Sequence, residues 1–257
     1  MTRGAPWLLL LLAGSAGAQT MLDQEQRLIE IHSLLLDLPA VEAPGALGAG
    51  QLGVGLEVIT VPLIDGTTGG KVQITASDQT RLFPRPRIAY GLPAPEGFRA
   101  FVGASFIPPL VVRNISTSYL AGETGLAYGR PGPLHLGMRA YLLHAVSQSP
   151  VTDPATRDTL RTTSYGGDLS GAYELPLGPA GLTPYGGIGF THLSGNFVVT
   201  SDAEVLTSAA TVLTLHAGLR LLLGQRWEGV AELGYYPGRL MHPNFHFAYL
   251  FDVGPKS

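Results

Sequence analysis

His192 and Ser194, in the stretch HLSGN, are the pair of residues in this chain whose types most resemble catalytic machinery. Residues two apart share one face of a β-strand, so the imidazole could act as a base for the serine hydroxyl. Glu204 follows in the next connection and could orient the imidazole, as in a hydrolase triad. Histidine and serine are also frequent at strand rims without any catalytic role. We therefore predict no catalytic residue and keep a hydrolase that uses His192 and Ser194 as an alternative.

Charged side chains form a second chemically capable set, because they share one face of short alternating segments. In LHLGMRAYL, Leu136 and Met138 lie on one face and Arg139 on the other. TLHAGLRLLL separates Leu219 from Arg220 in the same way. The alternation predicts one common face for Glu57, Arg87, Arg99, Glu123, Arg139, Asp168, Glu174, His216, Arg220, Glu228 and Glu232.

This sorting of charges predicts a barrel that is apolar outside and polar inside. An Arg or Lys facing lipid at the bilayer midplane costs about 2–4 kcal/mol, whereas a soluble barrel keeps its apolar face inside. The charged residues would then line a narrow lumen. That lining could be an ion-paired core, or it could select small polar or anionic solutes. A soluble β-barrel or sandwich is the alternative fold.

The stretch NFHFAYLF near the chain end places four aromatic residues at strict alternation. Phe245, Phe247, Tyr249 and Phe251 would form one ridge on a strand. On the last strand of a transmembrane barrel, such a ridge faces lipid and supplies interfacial aromatic residues.

Composition supports a membrane barrel and excludes several other classes. Charged residues make up 14% of the 257 residues, against about 25% in soluble domains. The net charge of −3 gives no indication of a nucleic-acid partner. There is no cysteine, the histidines lack metal-site spacing, and the glycine runs are not followed by a helix. We therefore predict no metal and no cofactor.

Short alternating segments, broken by Gly, Pro, Asn and Asp, begin at residue 51. Short connections alternate with long ones, as they do when periplasmic turns alternate with outer loops in an up-and-down, antiparallel, all-β transmembrane barrel. We predict about ten strands, with an extra short one possible at 71–77. Their ranges are 52–63, 85–92, 98–107, 117–129, 134–146, 163–175, 182–198, 208–223, 227–236 and 244–252.

The N-terminus predicts an export signal followed by a helix. Residues 1–18 combine Arg3, an apolar run and small residues before a cleavage site. Residues 21–38 carry Leu28, Ile31, Leu35 and Leu38 at helical spacing. Because that apolar stripe suits a charged lumen poorly, we expect a periplasmic helix and linker (19–50) at the barrel mouth, able to bind a periplasmic partner. The barrel would then span 51–253, and a tail would span 254–257.

Two motifs resemble bacterial outer-membrane barrels of the small opacity-protein and OmpA-like transmembrane type. Terminal strands of such barrels carry alternating aromatic residues read by the barrel-assembly machinery, although this chain adds DVGPKS after Phe251. LTPYGGIGFTHL (182–193) is similar to a strand common in the same barrels. The resemblance implies a location in the bacterial outer membrane, with membrane lipid and the assembly machinery as partners.

These patterns predict a structural barrel or a narrow passage for small solutes. Two alternatives are a lipid-modifying hydrolase and a surface adhesion protein acting through its outer loops. Outer-membrane lipid A deacylases use a similar His-x-Ser pair with a glutamate. In that family the pair lies near the C-terminus, where this chain reads AELGYYPG.

Overall fold

The structure is a computed structural model and describes residues 21–38, 43–60, 82–112, 115–129, 132–149, 156–200 and 203–254. The predicted signal peptide (1–18) and the possible strand at 71–77 lie outside these ranges. Within them there is no helix with the length and hydropathy to cross a membrane.

One helix precedes a succession of long strands. Helix α1 covers Met21–Leu35. The strands are β1 (Gln51–Thr60), β2 (Leu82–Leu92), β3 (Phe98–Val112), β4 (Ile115–Tyr128), β5 (Leu134–Ser149), β6 (Asp158–Tyr173), β7 (Leu175–Leu177), β8 (Ala180–Val199), β9 (Glu204–Leu223), β10 (Trp227–Tyr236) and β11 (Leu240–Asp252).

The strands close into a ten-stranded antiparallel barrel, which confirms the predicted fold. Strands β1 to β6 pair in sequence, β6 pairs with β8, and β8 to β11 continue the order. Strand β1 closes the barrel by pairing with β11, from Gln51 opposite Asp252 to Ile59 opposite Asn244. The three-residue β7 continues the line of β6 and pairs only with the start of β8.

The two ends of the barrel differ in the length of their connections, and the other features are described below by the end at which they lie. The short-turn end carries the connections 93–97, 129–133 and 224–226. The long-connection end carries 61–81 and 150–157. In an outer-membrane barrel, short turns face the periplasm and long loops face outward.

Several strands extend further toward the long-connection end than predicted. The sequence suggests that β3 ends at Ile107, because Pro108 and Pro109 lack the N–H that a ladder needs. In the structure the ladder with β4 shifts register between Ile107 and Leu110 and then resumes. The bulge accommodates both prolines. The connection expected at 108–116 therefore shrinks to 113–114.

Side chains alternate between an apolar outer surface and a mixed inner one. On β5, Leu134, Leu136, Met138 and Leu142 are exposed, while Tyr141 and Leu143 are buried. On the closing strand, Phe245, Phe247 and Phe251 are 51%, 56% and 45% exposed. Charged residues with buried side chains lie on the inner face of their strands, including Glu57, Arg87, Glu123, Asp168, Arg220, Glu228 and Glu232.

Candidate functional site in the lumen

The inner wall carries a network of buried ion pairs. Arg85 binds both carboxylate oxygens of Glu57, at 2.6 and 2.9 Å, with both side chains fully buried. A longer chain of ion pairs links Arg87, Glu123, Arg139 and Asp168 across strands β2 to β6, at 2.5, 3.2 and 2.8 Å. Arg220 binds Glu228 at 2.6 Å. Each charge of these pairs therefore has an opposite partner, as a buried charge requires. The buried carboxyl of Glu232 instead accepts a hydrogen bond from the hydroxyl of Tyr185 at 2.9 Å.

Inward-facing glycines leave room for these large side chains. Gly103 lies on β3 between Arg87 on β2 and Glu123 on β4. A Cβ at Gly103 would lie 2.6 Å from Oε1 of Glu123. A Cβ at Gly166 would lie 2.6 Å from the hydroxyl oxygen of Tyr141. A bore of this size accommodates Tyr, Arg and Glu side chains only where neighbouring strands contribute little volume.

Helix α1 lies inside the lumen, toward the long-connection end. Leu34 is fully buried in a cluster with Leu193, Val212 and Tyr236. Glu30 accepts a bond from Ser208 at 3.4 Å. A Cβ at Gly195 would lie 2.6 Å from Cγ2 of Ile29, so the wall is indented where the helix passes.

This position corrects the expectation of a helix at the periplasmic mouth. The expectation assumed that charges line the whole lumen, which an apolar stripe would desolvate. The structure separates the two regions along the axis. On β5 and β9, the apolar inward residues lie nearer the long-connection end than Arg139 and Arg220 do. The apolar inward residues of the lumen include Ile107, Leu143, Ala145, Leu193 and Val212.

The apolar stripe of the helix is used by the barrel itself. Of the predicted stripe, Leu35 and Leu38 are buried in the lumen, Ile31 is half-buried, and the side chain of Leu28 lies outside what the structure describes. The barrel wall therefore covers the surface that a periplasmic partner would need. The helix also ends at Leu35, and the described residues that follow it, 36–38 and 43–50, are irregular.

Wall arginines bind the backbone carbonyls of this irregular chain. Arg85 donates to the carbonyl of Asp37 at 3.1 Å, and Arg139 donates to that of Leu38 at 3.1 Å. Further down, Arg99 donates to the carbonyl of Gly45 at 2.5 Å, and Arg220 to that of Ala46 at 3.3 Å. Buried irregular backbone needs such partners, because it lacks those of a helix or sheet.

The chain leaves the lumen at the short-turn end. Leu47 packs on Ala89 and Leu250, and Gly50 donates to the carbonyl of Gly91 at 2.9 Å. Strand β1 then begins at Gln51. We call residues 29–38 and 43–50 the inserted segment. It runs from the long-connection end, past the ion pairs, to the short-turn end.

Asp37 is the inserted segment's buried acid. Its Oδ2 atom accepts bonds from the hydroxyls of Thr191, Tyr141 and Tyr236, at 2.9, 3.1 and 3.2 Å. Tyr141 and Thr191 also contact each other. These three residues come from β5, β8 and β10, so Asp37 connects separate parts of the wall.

Two small cavities lie beside the inserted segment among the described residues. A cavity of about 20 Å³ adjoins Asp37, Arg139 and Glu232. Another of about 10 Å³ lies among Leu47, Arg87 and Glu228. Each has room for one or two waters at most.

Most predicted lumen residues lie inside, and three lie near the rim or are only partly buried. Glu174 is half exposed at the short-turn end, where it pairs with His135 at 3.4 Å. Arg99 is exposed but reaches inward to Gly45. His216 is half-buried. Sequence reasoning missed Arg85, Asp37 and Tyr236. Arg85 shares parity with Arg87, and Tyr236 shares parity with Glu232, so alternation alone could have found both.

The structure does not assemble the hydrolase-like residues. His192 lies opposite Thr211 and bonds its Oγ1 atom at 2.9 Å, whereas Glu204 lies opposite Val199. Seven positions on β9 separate Glu204 from Thr211, or about 23 Å of strand. Ser194 is exposed on the outer surface. Glu204 is therefore too far from His192 to orient it.

Aromatic side chains ring the outer surface near the short-turn end. Trp227 stacks on Phe247 with ring centroids 5.3 Å apart and meets Tyr249 at 4.7 Å. Phe98 and Tyr128 form another pair at 4.9 Å. Such girdles mark the membrane interface of transmembrane barrels. With the apolar outer band and the charged interior, they define a barrel of outer-membrane type.

Comparison with known proteins gives matches to solved structures of low identity. No protein-family model and no curated protein matches the chain. The translocator domain of autotransporter NalP from Neisseria meningitidis is 12% identical, with 89% of this chain and 95% of that chain covered and a TM-score of 0.48. The N-terminal β-barrel domain of Pseudomonas aeruginosa OprF is 10% identical, with 80% and 100% covered and a TM-score of 0.31. Ail of Yersinia pestis is 10% identical, with 79% and 99% covered and a TM-score of 0.33.

Proposed function

We propose that this protein is a bacterial outer-membrane barrel that acts as a gated narrow passage, closed at rest by its own inserted segment. Small polar solutes would pass when the segment withdraws. The observation that carries the proposal is the binding of inserted carbonyls and Asp37 by side chains of the wall. A purely structural barrel would need only its wall ion pairs to compensate the interior charges.

The contacts support closure without making it permanent. Arg139 and Arg220 each have an acidic partner on the wall as well as a carbonyl of the inserted segment. When the segment leaves, these guanidinium groups keep their ion pairs and regain water. Withdrawal would therefore leave a compensated, hydrated wall, which a conducting lumen requires.

Planar-bilayer conductance tests this proposal. The full chain should show small or no steady conductance, and a chain lacking residues 21–45 should show discrete open steps. Heat-modifiable gel migration of both proteins would establish that both are folded barrels. If both were silent, the protein would be a structural barrel and the passage proposal would fail. Large steps from the full chain would show that the segment does not close the lumen.

The same proposal includes outer-membrane lipid and the barrel-assembly machinery as partners. The outward ridge of Phe245, Phe247, Tyr249 and Phe251 supports both roles, because it presents aromatic residues to lipid on the closing strand. Fractionation of the protein with outer membranes would support this location. Release as a soluble protein by osmotic shock would contradict it.

A further inference from the structure

The surroundings of Asp37 have the features of a site that binds a carboxylate. Tyr141, Thr191 and Tyr236 direct three hydroxyls at one carboxylate oxygen, over 2.9–3.2 Å. All three residues are buried, and Thr191 is 0% exposed. Removing a carboxylate from water is costly unless donors replace its hydration, and these hydroxyls do so at Oδ2. The Oδ1 atom of Asp37 is buried and has no hydrogen-bond partner among the described residues.

The charges around the site admit a ligand with no more than one negative charge, because Asp168 and Glu232 also line the adjoining cavity. The guanidinium of Arg139 lies beside the site, packed 4.7 Å from the ring centre of Tyr141. Its charge is already shared with Asp168 and Glu123, at 2.8 and 3.2 Å. A dianion such as phosphate would therefore meet carboxylates without a matching excess of cations. A neutral amide would gain no benefit from the guanidinium.

We propose that Tyr141, Thr191 and Tyr236 form a carboxylate-binding site in the lumen, occupied at rest by Asp37 as an internal ligand. A small free carboxylate, such as formate or acetate, takes the same site when the Asp37 side chain is absent. The inference rests on the plugged lumen proposed above, and it names the solute class of that lumen as small monocarboxylates.

The geometry also predicts that free carboxylates will not open the resting protein. Asp37 is tethered by the same chain that α1 and the arginine-bound carbonyls hold in place. A tethered ligand has a high effective concentration, so a free competitor is at a large disadvantage. The site becomes available to solutes only after the segment withdraws or the Asp37 side chain is removed.

Chemical rescue of Asp37→Gly tests the site. The substitution leaves the hydroxyls in place and extends the adjoining cavity of about 20 Å³. Docking of α1 can be followed through Ser33→Cys, because Ser33 is 0% exposed and the chain has no other cysteine. The rate of maleimide labelling then reports how often the helix leaves the lumen. Conductance is not needed, so failure of the passage proposal would leave this test unaffected.

Asp37→Gly should raise the labelling rate about tenfold or more, since hydrogen bonds to a charged group are lost. Acetate or formate should reverse most of that rise in a saturable manner. Formamide and chloride at equal concentration should not. Acetate should leave the labelling rate unchanged when Asp37 is intact. Adding Thr191→Val to Asp37→Gly should weaken the rescue, because one donor is gone.

Several results would overturn the proposal. These are no rescue by any carboxylate, equal rescue by formamide or chloride, and rescue that survives Thr191→Val undiminished. If Asp37→Gly does not assemble, refolding yield replaces labelling as the readout. Restoration of the heat-modifiable form by acetate and not by formamide would support the site, and restoration by neither would refute it.

Discussion

Arg239, on the hairpin between β10 and β11, binds Glu30 of α1 through two of its nitrogens, at 2.9 and 3.1 Å. This ion pair joins the start of the inserted segment to the long-connection end of the barrel. The inserted segment therefore starts at the long-connection end, crosses the lumen and joins β1 at the short-turn end. If long connections face outward, as is usual in such barrels, the start of α1 also faces outward.

We therefore expect the mature N-terminus to be reachable from outside the cell. An epitope inserted between Thr20 and Met21 should bind antibody on intact cells. The same epitope after Ser257 should bind only after the outer membrane is permeabilised, because β11 ends at the short-turn end. An N-terminal epitope that becomes accessible only after permeabilisation would show that α1 lies in the periplasm, as the sequence suggested.

Leu219 and Leu223 test the membrane boundary on one face of one strand. Both point outward from β9, at 44% and 48% exposed, but Leu223 lies next to the short turn. Leu219→Arg should lower the free energy of unfolding by about 2–4 kcal/mol and Leu223→Arg by about 0–1 kcal/mol. Urea-dependent unfolding in lipid vesicles measures both. Equal losses of unfolding free energy would mean that the cost of a charge on this face does not depend on its depth in the lipid.

The sequence predicted the wall of the barrel well, because alternation is a local property. Leu219 and Arg220 differ in face simply by being adjacent on a strand. The same rule placed Glu57, Arg87 and Glu123 on one side without any knowledge of which strands pair. Strand ends were less accurate where a bulge at Pro108 and Pro109 let the ladder continue.

The inserted segment was not predicted, because its position depends on the order of side chains along the lumen. Alternation shows that Leu193 and Asp168 both face inward, and it does not show that they lie at different depths. Asp37 likewise appears in sequence as one more acid on a polar helix face. Only strand register brings Tyr141, Thr191 and Tyr236 to the same point, from three separate strands.

Arg85 and Glu57 should be strongly coupled in stability. Their pair is 0% exposed, and Arg85 also donates to the hydroxyl of Tyr119 at 2.7 Å. Arg85→Met leaves a buried, unpaired carboxylate and should cost about 3–5 kcal/mol. Adding Glu57→Gln should recover part of that loss of free energy. It would not restore the hydrogen bond that Arg85 donates to the carbonyl of Asp37. Strictly additive unfolding free energies for the two changes would contradict the buried pair.

Gly195 should determine whether α1 fits against the wall. A side chain there would begin 2.6 Å from Ile29. Gly195→Leu should displace the helix and accelerate labelling of Ser33→Cys, while gel migration stays heat-modifiable. Gly229→Leu is the matched control, because a Cβ at that position meets nothing within 4 Å. Equal labelling rates in the two variants would place α1 away from β8.

Docking of α1 should weaken as pH falls, because of His32. This residue lies on the helix and not on a membrane-spanning strand, and burial lowers the pKa of its imidazole to about 4. The undocked helix has the ordinary value near 6.5. Between these values the undocked form binds more protons, so docking is fully stable above pH 6.5 and is lost progressively toward pH 4. The two pKa values set an upper limit of about 30-fold weaker docking at about pH 5. The loss of docking should be smaller than this limit, because His32 is only half-buried and keeps part of its hydration.

The measurement is the labelling rate of Ser33→Cys divided by that of the exposed Thr207→Cys, which cancels the titration of the thiol. Adding His32→Gln should abolish most of the pH dependence while leaving the Glu30–Arg239 pair intact. An unchanged dependence in that variant would assign the effect to carboxylates of the segment instead.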